Sequence, residues 1–325
     1  MQAWQCSETT GLQALKWLEV ATPTPQAGQV LVRIHAASLN FPDLLIVQGK
    51  YQFKPALPFV PGSEFAGTVE ALGDGVDTLR LGQRVACLAG TGGFATHALA
   101  PAHDCLPLPD AFPMVDAAAF IMTYATSHHA LLDRGQLRSG DTLLVLGAAG
   151  GVGTAAIQIA KAIGARVIAA ASTDDKCALC RSIGADDSVN YNTTPLRDAL
   201  KAMTGGQGPN VVFDPVGGDI SEQAFRSIAW RGRHLVIGFA AGPIPSLPLN
   251  LPLLKGASLV GVFWWDFARR EPQAQSAMMS ELTEWYGRGL IRPVIDRTLP
   301  MAELPAGYAH MASRGAKGKV VMTNP

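Results

Sequence analysis

Apolar positions change period sharply in the middle of the chain. A continuous apolar run, TLLVL at Thr142–Leu146, meets the glycine cluster GAAGGVG at 147–153. The following stretch, to about Gly164, places Ile157, Ala160 and Ile163 on one face and leaves Gln158 and Lys161 off it, and a second apolar run covers Arg166–Ala171. Strand, amphipathic helix and strand in that order predict a βαβ unit. Further apolar runs at 188–191, 210–213, 234–239 and 259–263 alternate with helical patterning. That alternation predicts an α/β domain, a doubly wound, mostly parallel sheet with helices on its faces.

Before this region the pattern is different. Short β-type runs at 15–20, 29–37, 64–72, 84–88 and 95–100 are punctuated by Pro and Gly, which predicts an irregular antiparallel barrel. A helix is expected at Phe41–Val47 and another at 127–132. After the βαβ region, AAGPIPSLPLNLP (240–252) reads as a proline-rich, non-helical connection that lines the acceptor site or packs on a second subunit. Residues 262–264 are expected to close the last strand of the sheet. Residues 272–289 read as helix, 294–298 and 319–323 as strands, and 303–312 as a final helix that returns to the first domain. The expected domains are 1–122 with 265–325, and 123–264.

Composition narrows the picture. A chain of 325 residues with 48% hydrophobic and 16% charged side chains has the length for two buried cores. Its formal net charge is zero and no basic cluster is visible, so neither nucleic acid nor an anionic membrane is an expected partner. The opening MQAWQCSETT has no basic leader, which predicts no signal peptide. The weakly polar run 143–157 is short for a membrane span and interrupted by glycines. Five scattered cysteines suggest reduced thiols and a cytoplasmic chain. Cys177 and Cys180 form a CxxC, but they fall in a predicted helix and read as packing residues.

The glycine cluster carries chemistry. A dinucleotide pyrophosphate can approach a helix N-terminus only where no side chain covers the backbone N–H groups. Ala148, Gly150 and Gly153 take the fingerprint positions, and Ala149, Gly150, Gly151, Val152 and Gly153 are the expected pyrophosphate-binding residues. An NAD enzyme places an acid about twenty residues after the glycines. Here Ala171, Ser172 and Thr173 stand in that place. The Ser172 hydroxyl and the Lys176 ammonium suit a 2′-phosphate, which favours NADPH. Asp174 and Asp175 argue the other way if the strand ends later.

Asn40 with Asp43, Gly49 with Tyr51, PFVPGSEFAGTV at 58–69, GAAGGVG, and DPVG at 214–217 occur in order along nearly the whole chain. Together they resemble the quinone oxidoreductase (zeta-crystallin-like), zinc-independent branch of the medium-chain dehydrogenase/reductase superfamily. The resemblance implies a GroES-like catalytic domain built from both chain ends, a Rossmann domain between them, and a cofactor in the cleft. Zinc alcohol dehydrogenases of that superfamily have His at the position of Ser63 and a Cys ligand near Asn40, and a four-cysteine lobe where this chain has a short glycine turn between Val85 and Phe94. His97, His103, His128 and His129 lack ligand spacing with a cysteine, so no catalytic metal is expected.

Without a Lewis acid, the implied chemistry is hydride delivery from NADPH to an acceptor that is already electrophilic, a quinone or an α,β-unsaturated carbonyl. Asn40 and Tyr51 are the candidate hydrogen-bond donors, and by resemblance Asn40 and Thr123 lie beside the nicotinamide. The tyrosine of related enoyl thioester reductases, proposed there to donate a proton, matches Tyr51. Each residue keeps a plainer reading: Asn40 and Thr123 as helix caps, Tyr51 as a wall residue. The resemblance puts Tyr191 near the adenosine phosphate. Gly238 and Phe239, at a strand end, and Phe263 and Trp264 complete the expected cofactor residues; Trp264 with Trp265 also reads as a core or dimer-interface pair. Lys319 lies near the cofactor or is simply solvated. A homodimer is implied by resemblance alone. The alternatives are an enoyl thioester reductase and a non-catalytic, crystallin-like NADPH-binding protein.

Overall fold

Strand pairing follows the apolar runs. The computed structural model describes every residue, Met1–Pro325, and the chain divides into one unit of Met1–Met122 with Ile295–Pro325 and another of Thr123–Val294.

The second unit is built on six parallel strands. Their spatial order is Asp187–Asn190, Arg166–Ala171, Thr142–Leu146, Val211–Asp214, Arg233–Val236 and Ser258–Gly261. In chain order this is third, second, first, fourth, fifth, sixth, the doubly wound arrangement with its switch point between Thr142–Leu146 and Val211–Asp214. Leu143, Leu144, Val145 and Leu146 are fully buried, which is why this strand reads as an unbroken apolar run. The helix Gly151–Ala162 buries Ala155, Ala156, Ile157, Ile159 and Ala160, the alanines letting it approach the sheet closely and the isoleucines supplying apolar bulk.

The first unit centres on Gln29–Ser38. That strand pairs antiparallel with Glu64–Leu72, with His97–Pro101, and with Lys319–Thr323 from the far end of the chain. Its register sets Ser38 opposite both Glu64 and Val321. Continuing two residues beyond Ser38 therefore brings Asn40 level with Lys319. Side chains of Val30, Val32, Ile34, Phe65, Val85 and Met322 fill the core of this unit.

Three expectations change. The last strand of the parallel sheet ends at Gly261, and Trp264 opens a helix, Trp264–Arg270, with Asp266 in its first turn and Arg269 and Arg270 in its last, charges that complement the helix dipole. A helix, Asn250–Lys255, begins inside the proline-rich connection; Pro252 lies in its first turn, where a missing N–H is harmless. Residues 265–294, expected with the first domain, group with the second. Helix Pro272–Gly287 buries Met278, Met279, Leu282 and Trp285, and Glu281 meets His128 at 3.0 Å. Two short strands, Gln2–Cys6 and Cys105–Pro107, had no clear pattern in the sequence. No helix is long and apolar enough to cross a membrane.

Candidate active site

At the switch point the chain leaves Leu146 through Gly147, whose φ of +57° suits glycine. Gly150 is the N-cap of the helix Gly151–Ala162, and the first rung of the helix runs from the Thr154 amide to the Gly150 carbonyl at 2.8 Å. The amides of Gly151, Val152 and Gly153 precede that rung, so they are the donors a helix N-terminus offers to an anion. A side chain at Gly153 would meet the carbonyls of Gly147 and Ala148 at 2.6 and 2.7 Å, whereas one at Gly150 would meet only the Gly147 carbonyl, at 3.3 Å. Gly153 is thus required for packing, and Gly150 leaves the approach to the amides open. Ala149 is buried in the turn, and the Val152 carbonyl accepts the Ser127 hydroxyl at 2.9 Å.

The second strand ends at Ala171, as its apolar pattern predicts. Thr173 caps the next helix, Asp174–Ser182, by accepting the Lys176 amide at 3.3 Å. Asp174 accepts the Asn190 side chain at 2.9 Å, and Asn192 donates to the Ser172 carbonyl at 2.8 Å. Asp174, one of the two acids that favoured NAD, is thus engaged with the neighbouring strand, while Ser172 just past the strand end and Lys176 in the first turn of the helix are half-buried. Tyr191 follows the third strand and packs against the sheet core. Cys177 and Cys180 are buried on the inner face of Asp174–Ser182, and burial pushes the Cys180 thiol up to about 12, a packing role.

Across the switch point, the fourth strand ends at Asp214. Val216 of the turn that follows stands so close to Gly147 that a side chain there would meet its methyl at 2.8 Å. Gly217, at φ +67°, leaves room for Phe239. Gly238 and Phe239 lie just beyond strand Arg233–Val236 rather than within it. Phe263 keeps about half its surface exposed (54%). Trp264 is buried and donates its indole N–H to Gln275 at 2.9 Å, so it is a core residue of this unit.

The first unit holds a buried polar cluster at the strand ends set by the register above. Lys319 Nζ donates to Asn40 Oδ1, and to Glu64 Oε2 at 3.3 Å; Asn40 Nδ2 donates to the same Glu64 oxygen at 3.1 Å. Glu64 also accepts the Ser38 hydroxyl and the Met122 amide, each at 2.8 Å. Asp43 accepts the amides of Asn40 and Ser63 at 2.8 and 3.0 Å, the first being the reverse half of a capping box. Lys319 and Glu64 are 5% and 0% exposed. Burial pulls the Lys319 ammonium below its ordinary value, opposed by the Glu64 and Asp43 carboxylates. Burial also pushes the Asp43 carboxyl up to about 6, against its backbone hydrogen bonds. Tyr51 is half-buried against the core of this unit, and burial, then the charge of Asp43, raises its phenol.

Residues 26–110 match the alcohol dehydrogenase GroES-like domain, and residues 151–283 match the zinc-binding dehydrogenase family. The chain is 39% identical over 308 residues to quinone oxidoreductase-like protein 2 of Bos taurus, covering 94% of this chain and 88% of that one. The chain belongs to the quinone oxidoreductase family of medium-chain dehydrogenases/reductases. It is an oxidoreductase. The quinone oxidoreductase of Thermus thermophilus, also solved in complex with NADPH, superposes with a TM-score of 0.86 at 34% identity, over 100% of both chains. A mycobacterial protein complexed with NADPH gives a TM-score of 0.93 at 30% identity, again over the full length of both.

Within this family member the donor set does not fit the metal in the name of the second matched family. Asn40 and Ser63 are tied into the Lys319, Glu64 and Asp43 cluster, and no group of three His, Cys, Asp or Glu side chains is placed to hold an ion. His97, His103, His128 and His129 each meet a different carboxylate: Glu70, Asp104, Glu281 and Asp133. Thr123 is not a helix cap. It is buried inside a wide, π-type helical turn, Ile121–Ala125, directly after Met122, whose amide Glu64 holds. Asn40 does stand at an N-cap position, but its carboxamide bonds Lys319 and Glu64. Reading the sequence named Asp43 only as part of a motif and left Lys319 either near the cofactor or solvated; it missed Glu64 and the burial of Lys319 beside Asn40. The available signal was a charged residue opening each of two otherwise apolar strands, EFAGTV and KVVMT.

Proposed function

We propose that the protein reduces quinones, and related α,β-unsaturated carbonyl acceptors, with NADPH and without a catalytic metal. The observation that carries this reading is the set of backbone amides at Gly151, Val152 and Gly153, which stand at the switch point of a chain whose relatives include NADPH complexes. These amides face the pyrophosphate, and Ser172 and Lys176 take the 2′-phosphate, with Tyr191 beside the adenosine. When bound, NADPH supplies a hydride and leaves as NADP⁺; a quinone that gains this hydride and one proton becomes the hydroquinone. Asn40, with Thr123, orients the nicotinamide end. Tyr51 donates a hydrogen bond to the acceptor oxygen as negative charge develops there. Burial and the Asp43 charge keep the phenol protonated and able to donate, and a quinone needs no more than a hydrogen bond from it, since its reduced form takes protons from water.

A second copy of the chain completes the proposal. Strand Ser258–Gly261 is paired on one side only, and Leu249, Leu253, Leu254 and Leu259 nearby are exposed. An open edge beside apolar side chains suits pairing with the same strand of a partner across a two-fold axis. Sedimentation velocity would give a dimer for the parent and a monomer for Leu259→Lys; a monomeric parent refutes it. All five cysteines are unpaired and buried, which suits a reducing, cytoplasmic setting.

The test is NADPH consumption with a simple benzoquinone, an enone and a short enoyl thioester in parallel. Fastest turnover of the quinone supports the reading. Fastest turnover of the thioester moves the assignment to enoyl reduction with Tyr51 as proton donor, and tight NADPH binding with no turnover of any acceptor makes the protein a non-catalytic binder.

A further inference from the structure

An asparagine carboxamide has nearly the same shape either way round, so its partners decide which end is oxygen. At Asn40 they decide firmly. An ammonium only donates, and Lys319 Nζ lies on Oδ1; a carboxylate only accepts, and Glu64 Oε2 lies 3.1 Å from Nδ2. A flipped amide would set its NH₂ against the ammonium and its carbonyl against the carboxylate, two repulsions inside a cluster that water does not reach. Glu64 is itself fixed, with one oxygen accepting the Met122 amide and the other the Ser38 hydroxyl. The backbone of Asn40 is held by Asp43. Every rotation of the side chain is therefore constrained, and one Nδ2–H remains uncommitted.

We propose that Lys319 and Glu64 are positioning residues that lock the Asn40 carboxamide in one orientation, so that it always presents an N–H and never a carbonyl to the nicotinamide or the acceptor. This rests on the reading that Asn40 serves the hydride-transfer site. A buried ion pair adds little net stability compared with apolar side chains of similar size, so orientation gives this pair a function that packing alone does not supply.

The test has two arms. In cofactor-free protein labelled with ¹⁵N-asparagine, the Asn40 NH₂ signals, assigned by their loss in Asn40→Ala, should be widely split and protected from exchange. In Lys319→Met they should move toward solvent values. With NADPH and benzoquinone, Lys319→Met should lower kcat by about a hundred-fold, the lower end of the roughly hundred- to thousand-fold loss when one oriented donor is removed, with NADPH affinity little changed. Added to Asn40→Ala, it should lower kcat no further. If Lys319→Met alone does not fold, Glu64→Gln with Lys319→Met removes both charges and is read the same way. Unmoved Asn40 signals in the lysine variant, or an equal loss of kcat with and without Asn40, would overturn the proposal. A parent enzyme inactive on quinones would overturn the reaction instead, while the first arm still reports on the amide.

Discussion

His234 Nε2 lies 3.0 Å from Asp214 Oδ2 in the second unit, with both residues buried. The other Asp214 oxygen accepts the amides of Val216 and Gly217, each at 2.9 Å, so this pair holds the turn that faces the glycine cluster across the switch point. Burial alone would raise the Asp214 carboxyl; the His234 imidazole, with help from Ser221 and the Gly217 amide, holds it below its ordinary value. A depressed carboxyl contributes stability above its unfolded pKa and loses it as pH falls through the folded one. Asp214→Asn should therefore destabilise the protein by about 2–3 kcal/mol at neutral pH and flatten the acid limb below roughly pH 4. Urea denaturation across pH checks both.

Asp43 has the opposite sign. Its folded value of about 6 lies above the ordinary carboxyl range, so its contribution is full below roughly pH 4 and falls by about 3 kcal/mol as pH rises through 6. Asp43→Asn should abolish that pH-dependent part, whatever constant offset the lost acceptor adds. An unchanged slope between pH 4 and 6 in the variant would show that another group titrates there.

Two glycines of the fingerprint should separate fold from binding. Gly153→Ala sets a methyl against two backbone carbonyls below 3 Å and should lower the melting temperature. Gly150→Ala meets a single carbonyl at 3.3 Å, a tight contact that a shift of a few tenths of an ångström relieves, so the fold should survive with a smaller loss than Gly153→Ala, but NADPH affinity should fall by about ten-fold as the methyl crowds the pyrophosphate. Calorimetry and fluorescence titration measure the two effects.

Cofactor choice is tested at Lys176. Lys176→Ala should weaken NADPH by roughly ten-fold, the worth of one charge-assisted contact, and leave NADH nearly unaffected. Equal losses for both would remove the 2′-phosphate assignment.

The parallel sheet and the glycine turn were legible because local patterning decides them. A strand buried on both faces must be an apolar run, and Thr142–Leu146 and Arg166–Ala171 are found at their expected limits. The polar cluster was not legible. Lys319 and Asn40 are 279 residues apart, and only the register of three strands brings them together. Taken alone, a lysine after Gly318 reads as solvated. Trp264 failed for a related reason: two aromatics after an apolar run look like strand, and only Asp266, Arg269 and Arg270 reveal the helix. Residues 265–294 were misplaced because helix Pro272–Gly287 is amphipathic, and amphipathicity does not say which domain covers its apolar face.

The most direct test of the central claim is the initial rate of NADPH oxidation with benzoquinone, using protein dialysed against a strong chelator. The account predicts saturable turnover that the chelator leaves unchanged and that is faster with NADPH than with NADH. No turnover, or activity that disappears with the chelator and returns with zinc, would contradict it.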